Sequence, residues 1–147
     1  MTDNPNAGTT PEANQVSRSL DAQKHPALSA EQTRSMLDAM VKHMTDDVIT
    51  QFGNQAEICG KAAFRTLFNQ VGQAISGLRH DILDLWHAVE DFDVWVVQLN
   101  VSYRLLDGRT ITLPCCNVFR MRGELICEYR VYMDIGPVLD GAAARGV

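Results

Sequence analysis

The feature that most constrains this chain is a change of period at His80. Upstream, large apolar residues recur at helical spacing. One stripe holds Met36, Leu37, Met40, Val41 and Met44, and another holds Phe64, Leu67, Phe68, Val71 and Ile75. From His80 onward the apolar residues alternate with polar ones, as they do on strands buried on one face. Helices followed by a run of hairpin-linked strands imply an α+β domain, with the helices packed on one face of a curved antiparallel sheet.

Four strands can be drawn, roughly 80–90, 94–106, 109–122 and 125–135. "LDGR", residues 106–109, supplies the strongest short hairpin signal, and "RGE" makes the next turn. "SAEQ" supplies the first helix start, with Ser29 as N-cap and Gln32 at the capping-box position. "DDVITQF" reads as a short strand and "GNQAEICG" as the loop after it. The second helix is expected from about Lys61 to Ser76, with Gly77 as its stop. Residues 1–26, rich in Asn, Thr, Pro, Ala and Gln, are expected to form a mobile arm. Residues 27–140 form the domain, and 141–147 a frayed tail.

Composition narrows the function. The 147 residues carry a net charge of −5, with no basic run, so a polyanionic partner such as nucleic acid is not expected. No stretch approaches the ~20 apolar residues of a membrane span. The N-terminus lacks the basic and apolar regions of a signal peptide, so a cytoplasmic protein is expected. Cys59, Cys115, Cys116 and Cys127 include no C-x-x-C pair, which argues against a zinc site and a disulfide framework. They read as small buried thiols, with a reactive Cys115 as the alternative. No nucleotide, flavin or metal signature is present, which implies cofactor-free chemistry.

One residue breaks the pattern of "TLPCCNVFRM", residues 112–121. Leu113, Cys115, Phe119 and Met121 alternate toward a core, and Asn117 falls on their face. A buried amide without partners costs a few kcal/mol. Asn117 is therefore either a structural amide or a hydrogen-bond donor into a cavity.

The ordered set "TDDVITQFG", "CGKAAF", "LRHDI", "LLDGRTITLP", "NVFRM" and "YRVYMD" resembles the SnoaL-like branch of the nuclear transport factor 2 (NTF2) fold. That family includes polyketide cyclases, ketosteroid isomerases and limonene epoxide hydrolases. The resemblance implies a cone-shaped cavity between the sheet's concave face and the N-terminal helices, a small hydrophobic ligand, and a homodimer formed through the convex face. It puts Gln98, Asn100 and Ser102 inside the cavity. Trp95, Val97, Leu99, Val101 and Tyr103 would then cover the convex face under the dimer partner. Periodicity alone implies the opposite, with the apolar side inward.

On the same basis His80, Ile82, Asp84 and Trp86 of the first long strand face the cavity, as do Tyr129, Val131 and Met133 of the last. Asn117 falls where the isomerases keep an oxyanion donor. The isomerase base position falls near Phe52. The hydrolase's charged set falls on Asn100, Gln98 and about Val131, and none of these side chains carries charge. Neither known mechanism is therefore expected.

The candidate catalytic residues are His80, Asn117 and Asn100. His80 is the inward side chain with an unperturbed pKa near neutrality, or else a satisfied core histidine. The candidate ligand-binding residues are Gln98, Ser102, Asp84, Trp86, Cys115, Tyr129, Val131, Met133 and Phe52, with Phe64 and Phe68 as further walls. Arg130 and Asp134 fall on the opposite face and read as structural, Asp46 and Asp47 as turn or cap residues, and His25, His43 and His87 as surface. Two functions fit: an enzyme moving protons on a hydrophobic carbonyl-bearing or polycyclic molecule, or a binding module using the same cone.

Overall fold

The computed structural model describes residues 27–88, 90 and 93–143. Strand β1 (Leu28–Ser29) leads into helix α1 (Ala30–Lys42), then β2 (Met44–Phe52) and β3 (Ile58–Cys59). Helix α2 (Lys61–Gln73) precedes the long strands β4 (Ile75–Ala88), β5 (Asp93–Leu105), β6 (Thr110–Arg122) and β7 (Leu125–Tyr132), and α3 (Gly136–Ala143) follows. One seven-stranded sheet has the order β1-β4-β5-β6-β7-β2-β3. Every pairing is antiparallel except that of β2 with β7.

The local signals act as their chemistry dictates. The Ser29 Oγ accepts from the Gln32 N–H at 3.2 Å, and the Gln32 Oε1 accepts from the Ser29 N–H at 2.9 Å, which closes the capping box of α1. The β5–β6 and β6–β7 turns rest on Gly108 and Gly123, whose φ of 86° and 62° is the left-handed backbone that glycine adopts freely.

Three boundaries differ from expectation. Helix α2 ends at Gln73, and the strand after it starts at Ile75 rather than His80. Gly77 is not a helix stop but a strand residue, where a Cβ would stand 3.3 Å from the Leu28 carbonyl oxygen of the neighbouring β1. The last strand stops at Tyr132, and α3 extends through residues 141–143 of the segment expected to fray. The arm 1–26, with His25, and residues 144–147 lie outside the described residues.

A register shift between Ile82 and Asp84 decides which side chains share a face. Before it, His80 pairs with Val101 and Ile82 with Leu99; after it, Asp84 pairs with Gln98 and Trp86 with Val96. One inserted residue inverts the alternation of β4. The face of His80 continues across the sheet as Val101, Tyr103, Cys115, Asn117, Tyr129 and Val131. Helices α1 and α2 pack over that face, and Leu37, Val41 and Phe64 join its core. Phe64 is wholly buried, with ring contacts to Phe68 at 4.5 Å and Tyr129 at 6.2 Å.

Candidate active site

Between the two helices and the sheet lies a cavity of about 200 Å³. Met36 and Met40 of α1, Phe68 and Val71 of α2, and Phe52 of β2 form much of its apolar wall. From the sheet come His80, Val101, Tyr103, Cys115, Asn117, Phe119, Tyr129 and Val131, with Met133 just beyond β7. Among the described residues no carboxylate, lysine or arginine lines it.

Asn117 is 8% exposed, and its amide is oriented by a neighbour. The Cys115 thiol donates to Asn117 Oδ1 at 3.2 Å, which occupies the amide's acceptor. The two residues are two apart on one strand, so both side chains rise from the same face. Asn117 Nδ2 makes no hydrogen bond among the described residues, so its N–H groups remain to serve whatever fills the cavity. Burial pushes the Cys115 thiol up to about 11, with Cys116 adding to the rise, so it is protonated at neutral pH.

Two tyrosines complete the polar set. The Tyr103 hydroxyl donates to the Met133 sulfur at 3.7 Å, a weak acceptor that it could exchange for a ligand oxygen. Tyr129 is stacked on Phe119 with ring centroids 4.7 Å apart. Desolvation raises the pKa of both phenols, so both stay protonated and neutral. His80 lines the cavity and is exposed to solvent, which places it at the rim, where the surrounding protein still desolvates the imidazole in part. That desolvation holds its pKa below the usual imidazole value, against an opposing pull from Asp81. A neutral imidazole at a rim can accept a proton near neutrality.

The structure brings together seven of the proposed site residues: His80, Asn117, Phe52, Cys115, Tyr129, Val131 and Met133. It removes five. Asn100, Gln98 and Ser102 lie on the other face of β5, because Val101 and Tyr103 are the inward residues and Leu99 shares their buried side. Asp84 and Trp86 join them, carried there by the β4 register shift. Ser102 pairs with Thr112, hydroxyl to hydroxyl at 2.8 Å. Trp86, Gln98 and Asn100 line a separate hollow with Tyr132 and Asp134. The convex apolar patch expected from Val97, Leu99, Val101 and Tyr103 therefore does not exist. Tyr103, Val101 and Phe119 are among the cavity residues not anticipated, with Leu78 and the helix residues Met36, Met40 and Val71, and the apolar alternation of β5 was the signal for the first two.

The charged residues singled out in the sequence are held by local partners. Arg130 donates to Glu57 at 2.7 Å and also bonds Glu128 and Gln51, holding β7 to β2 and the loop beyond it. Asp46 meets Lys61 and Asp47 meets Arg122, while Asp134 accepts the Gly136 N–H ahead of α3. His43 and His87 are exposed, and the His87 ring stacks on Trp95. Among the described residues no three His, Cys, Asp or Glu side chains converge as a metal site requires, and no helix is long and apolar enough to cross a membrane.

The profile of the SnoaL-like domain matches residues 27–129. The chain belongs to the SnoaL-like domain family. Solved structures agree on the NTF2-like fold of this SnoaL-like protein. An NTF2-like protein of unknown function from Burkholderia pseudomallei superposes with a TM-score of 0.64 at 15% identity, covering 86% of this chain and 95% of its own. A putative SnoaL-like polyketide cyclase from Jannaschia sp. CCS1 gives 0.63 at 16%, over 94% and 98%. TerC, co-crystallised with polyporic acid, gives 0.62 at 16%, over 88% and 98%. At these identities the likeness establishes the fold alone. No curated protein sequence matches significantly.

Proposed function

We propose that this SnoaL-like protein is a cofactor-free enzyme that binds a compact hydrophobic carbonyl compound in the cavity and isomerises, cyclises, dehydrates or hydrates it by proton transfer. The observation that carries this is the Asn117 amide, its acceptor occupied by Cys115 and its donors left over in a mostly apolar chamber. Such donors suit a carbonyl oxygen that gains negative charge. Tyr103 is a second neutral donor in the same cavity, and His80 at the rim is the proton carrier. An apolar cavity of ~150 Å³ holds a benzene, so about 200 Å³ suits one or two rings rather than an extended polycycle. That TerC was co-crystallised with polyporic acid supports a small-molecule ligand for the fold.

A second reading is a non-catalytic binding module. It is favoured by the lack of any carboxylate among the described cavity residues and by the position of His80 at the rim. A homodimer through the outer sheet face fits Trp86 and Tyr132, which are 50% and 55% exposed there. Four free cysteines fit a reducing compartment such as the cytoplasm.

Native mass spectrometry with 2-acetylnaphthalene, a two-ring ketone, tests the binding claim. A 1:1 complex in the parent that weakens in Asn117→Leu is expected. Equal binding by both proteins would remove Asn117 from the site.

A further inference from the structure

Helix α2 carries a glycine one residue before its end that neither backbone nor packing requires. Gly72 is not among the glycines with positive φ, and a Cβ built on it meets no heavy atom within 4 Å. Alanine there would favour the helix, since glycine loses more backbone freedom on folding. What the missing Cβ leaves is open space, and its position is informative. Gly72 lines the cavity and also a second hollow, of about 410 Å³, between α1 and α2. Thr33, Leu37, Phe68 and Ile75 line both as well.

The second hollow differs from the cavity in chemistry. Arg34, Asn69 and Gln73 give it a polar rim. Arg34 is exposed and makes no ion pair or hydrogen bond among the described residues, whereas Arg65 on the facing helix pairs with Asp38. Since no lysine or arginine among the described residues lines the cavity itself, a carboxylate on the ligand is better kept outside it.

We infer that the cleft between α1 and α2 is the ligand's way into the cavity, past Gly72, and that the ligand carries a carboxylate that rests against Arg34 while its apolar body lies inside. The inference builds on the cavity being a ligand site. An apolar acid threaded this way keeps its charge in the wet cleft, where the planar guanidinium matches a carboxylate's geometry. Its rings and carbonyl then reach toward Asn117.

Two probes of one shape test this: 6-acetyl-2-naphthoate and the uncharged 6-acetyl-2-naphthamide, followed by stopped-flow fluorescence on the full chain. Gly72→Phe should slow association of both probes together by about 10-fold or more, because it obstructs a passage. Asn69→Trp, on an exposed flank of the same cleft, repeats the test should Gly72→Phe fail to fold. Gly72→Ala should raise Tm by about 2 °C or more and bind at nearly parental rates. Arg34→Gln should weaken the naphthoate by about 3- to 10-fold and leave the naphthamide unchanged. Parental rates in both obstructing variants would show that the ligand passes elsewhere. Equal effects of Arg34→Gln on the two probes would remove the carboxylate. If the parent binds neither probe at millimolar concentration, the cavity is no ligand site and the passage falls with it.

Discussion

Cys115 and Asn117, two residues apart on β6, are hydrogen-bonded side chain to side chain, thiol to amide oxygen, at 3.2 Å. The bond fixes which end of the amide faces Cys115, and on the proposed function the buried thiol is expected to position the amide rather than act as a nucleophile. A thiol pushed to about 11 from an ordinary 9.0 has roughly 10²-fold less thiolate at neutral pH. Iodoacetamide at pH 7.5 should therefore modify exposed Cys59 at least about 10-fold faster than Cys115, read by peptide mass spectrometry.

Removing the donor should loosen the amide. Cys115→Ala is expected to weaken 2-acetylnaphthalene by about 3-fold or more, while Cys115→Ser, which keeps a donor, stays closer to the parent. Equal losses in the two variants would mean that packing, not orientation, is what Cys115 supplies.

His80 should titrate below the 6.5 of a free imidazole, since desolvation outweighs the pull of Asp81. The sign follows. The unfolded chain binds this proton more readily than the folded one, so stability is lost as pH falls through 6.5 toward the folded value. Two-dimensional NMR of the imidazole protons measures the midpoint. His80→Gln should flatten the loss of stability between about pH 6.5 and 5.

Among the described residues the Tyr103 hydroxyl has only the Met133 sulfur as partner, so Tyr103→Phe should change stability by less than about 0.5 kcal/mol. Binding of the ketone probe should fall by about 0.5–1.5 kcal/mol, because a donor is withdrawn from its oxygen. Phe64→Ala, in contrast, should cost about 3–5 kcal/mol of stability, because that ring is wholly buried among Phe68 and Tyr129. Chemical denaturation separates the two behaviours.

Much of the fold was legible because each local signal had one cheap solution. The capping box at Ser29, the Asp-Gly turn before Arg109 and the alternation around Asn117 each act through neighbours in sequence. The face of β5 was not read correctly, and the reason is physical. A slip of one residue exchanges every side chain between faces, so carrying positions over from a distant relative fails entirely when it fails. The alternation of Val97, Leu99, Val101 and Tyr103 was the stronger signal, because burying them inside needs no partner. Trp86 and Asp84 were illegible for another reason: the irregularity that inverts β4 after Ile82 has no glycine or proline to mark it. Gly77 misled in the opposite sense, its closeness to Leu28 being a contact between elements far apart in sequence.

The outer face makes its own prediction. With Trp86 and Tyr132 exposed there, sedimentation should give twice the 16.3 kDa of one chain at micromolar concentration. Trp86→Glu with Tyr132→Glu should return it to a monomer without loss of fold. A parent that sediments as a monomer would remove the dimer but leave the cavity untouched.

Asn117→Leu tests the site most directly, measured as chemical stability and as calorimetric affinity for 2-acetylnaphthalene on the same preparation. A cavity-facing donor predicts stability within about 0.5 kcal/mol of the parent, since an amide with unused donors is exchanged for an apolar group of similar volume. Affinity should fall about 5-fold or more, near 1 kcal/mol, for the hydrogen bond lost. A variant destabilised by about 1 kcal/mol or more that binds the ketone as tightly per folded molecule as the parent would contradict it, and would make Asn117 a structural amide.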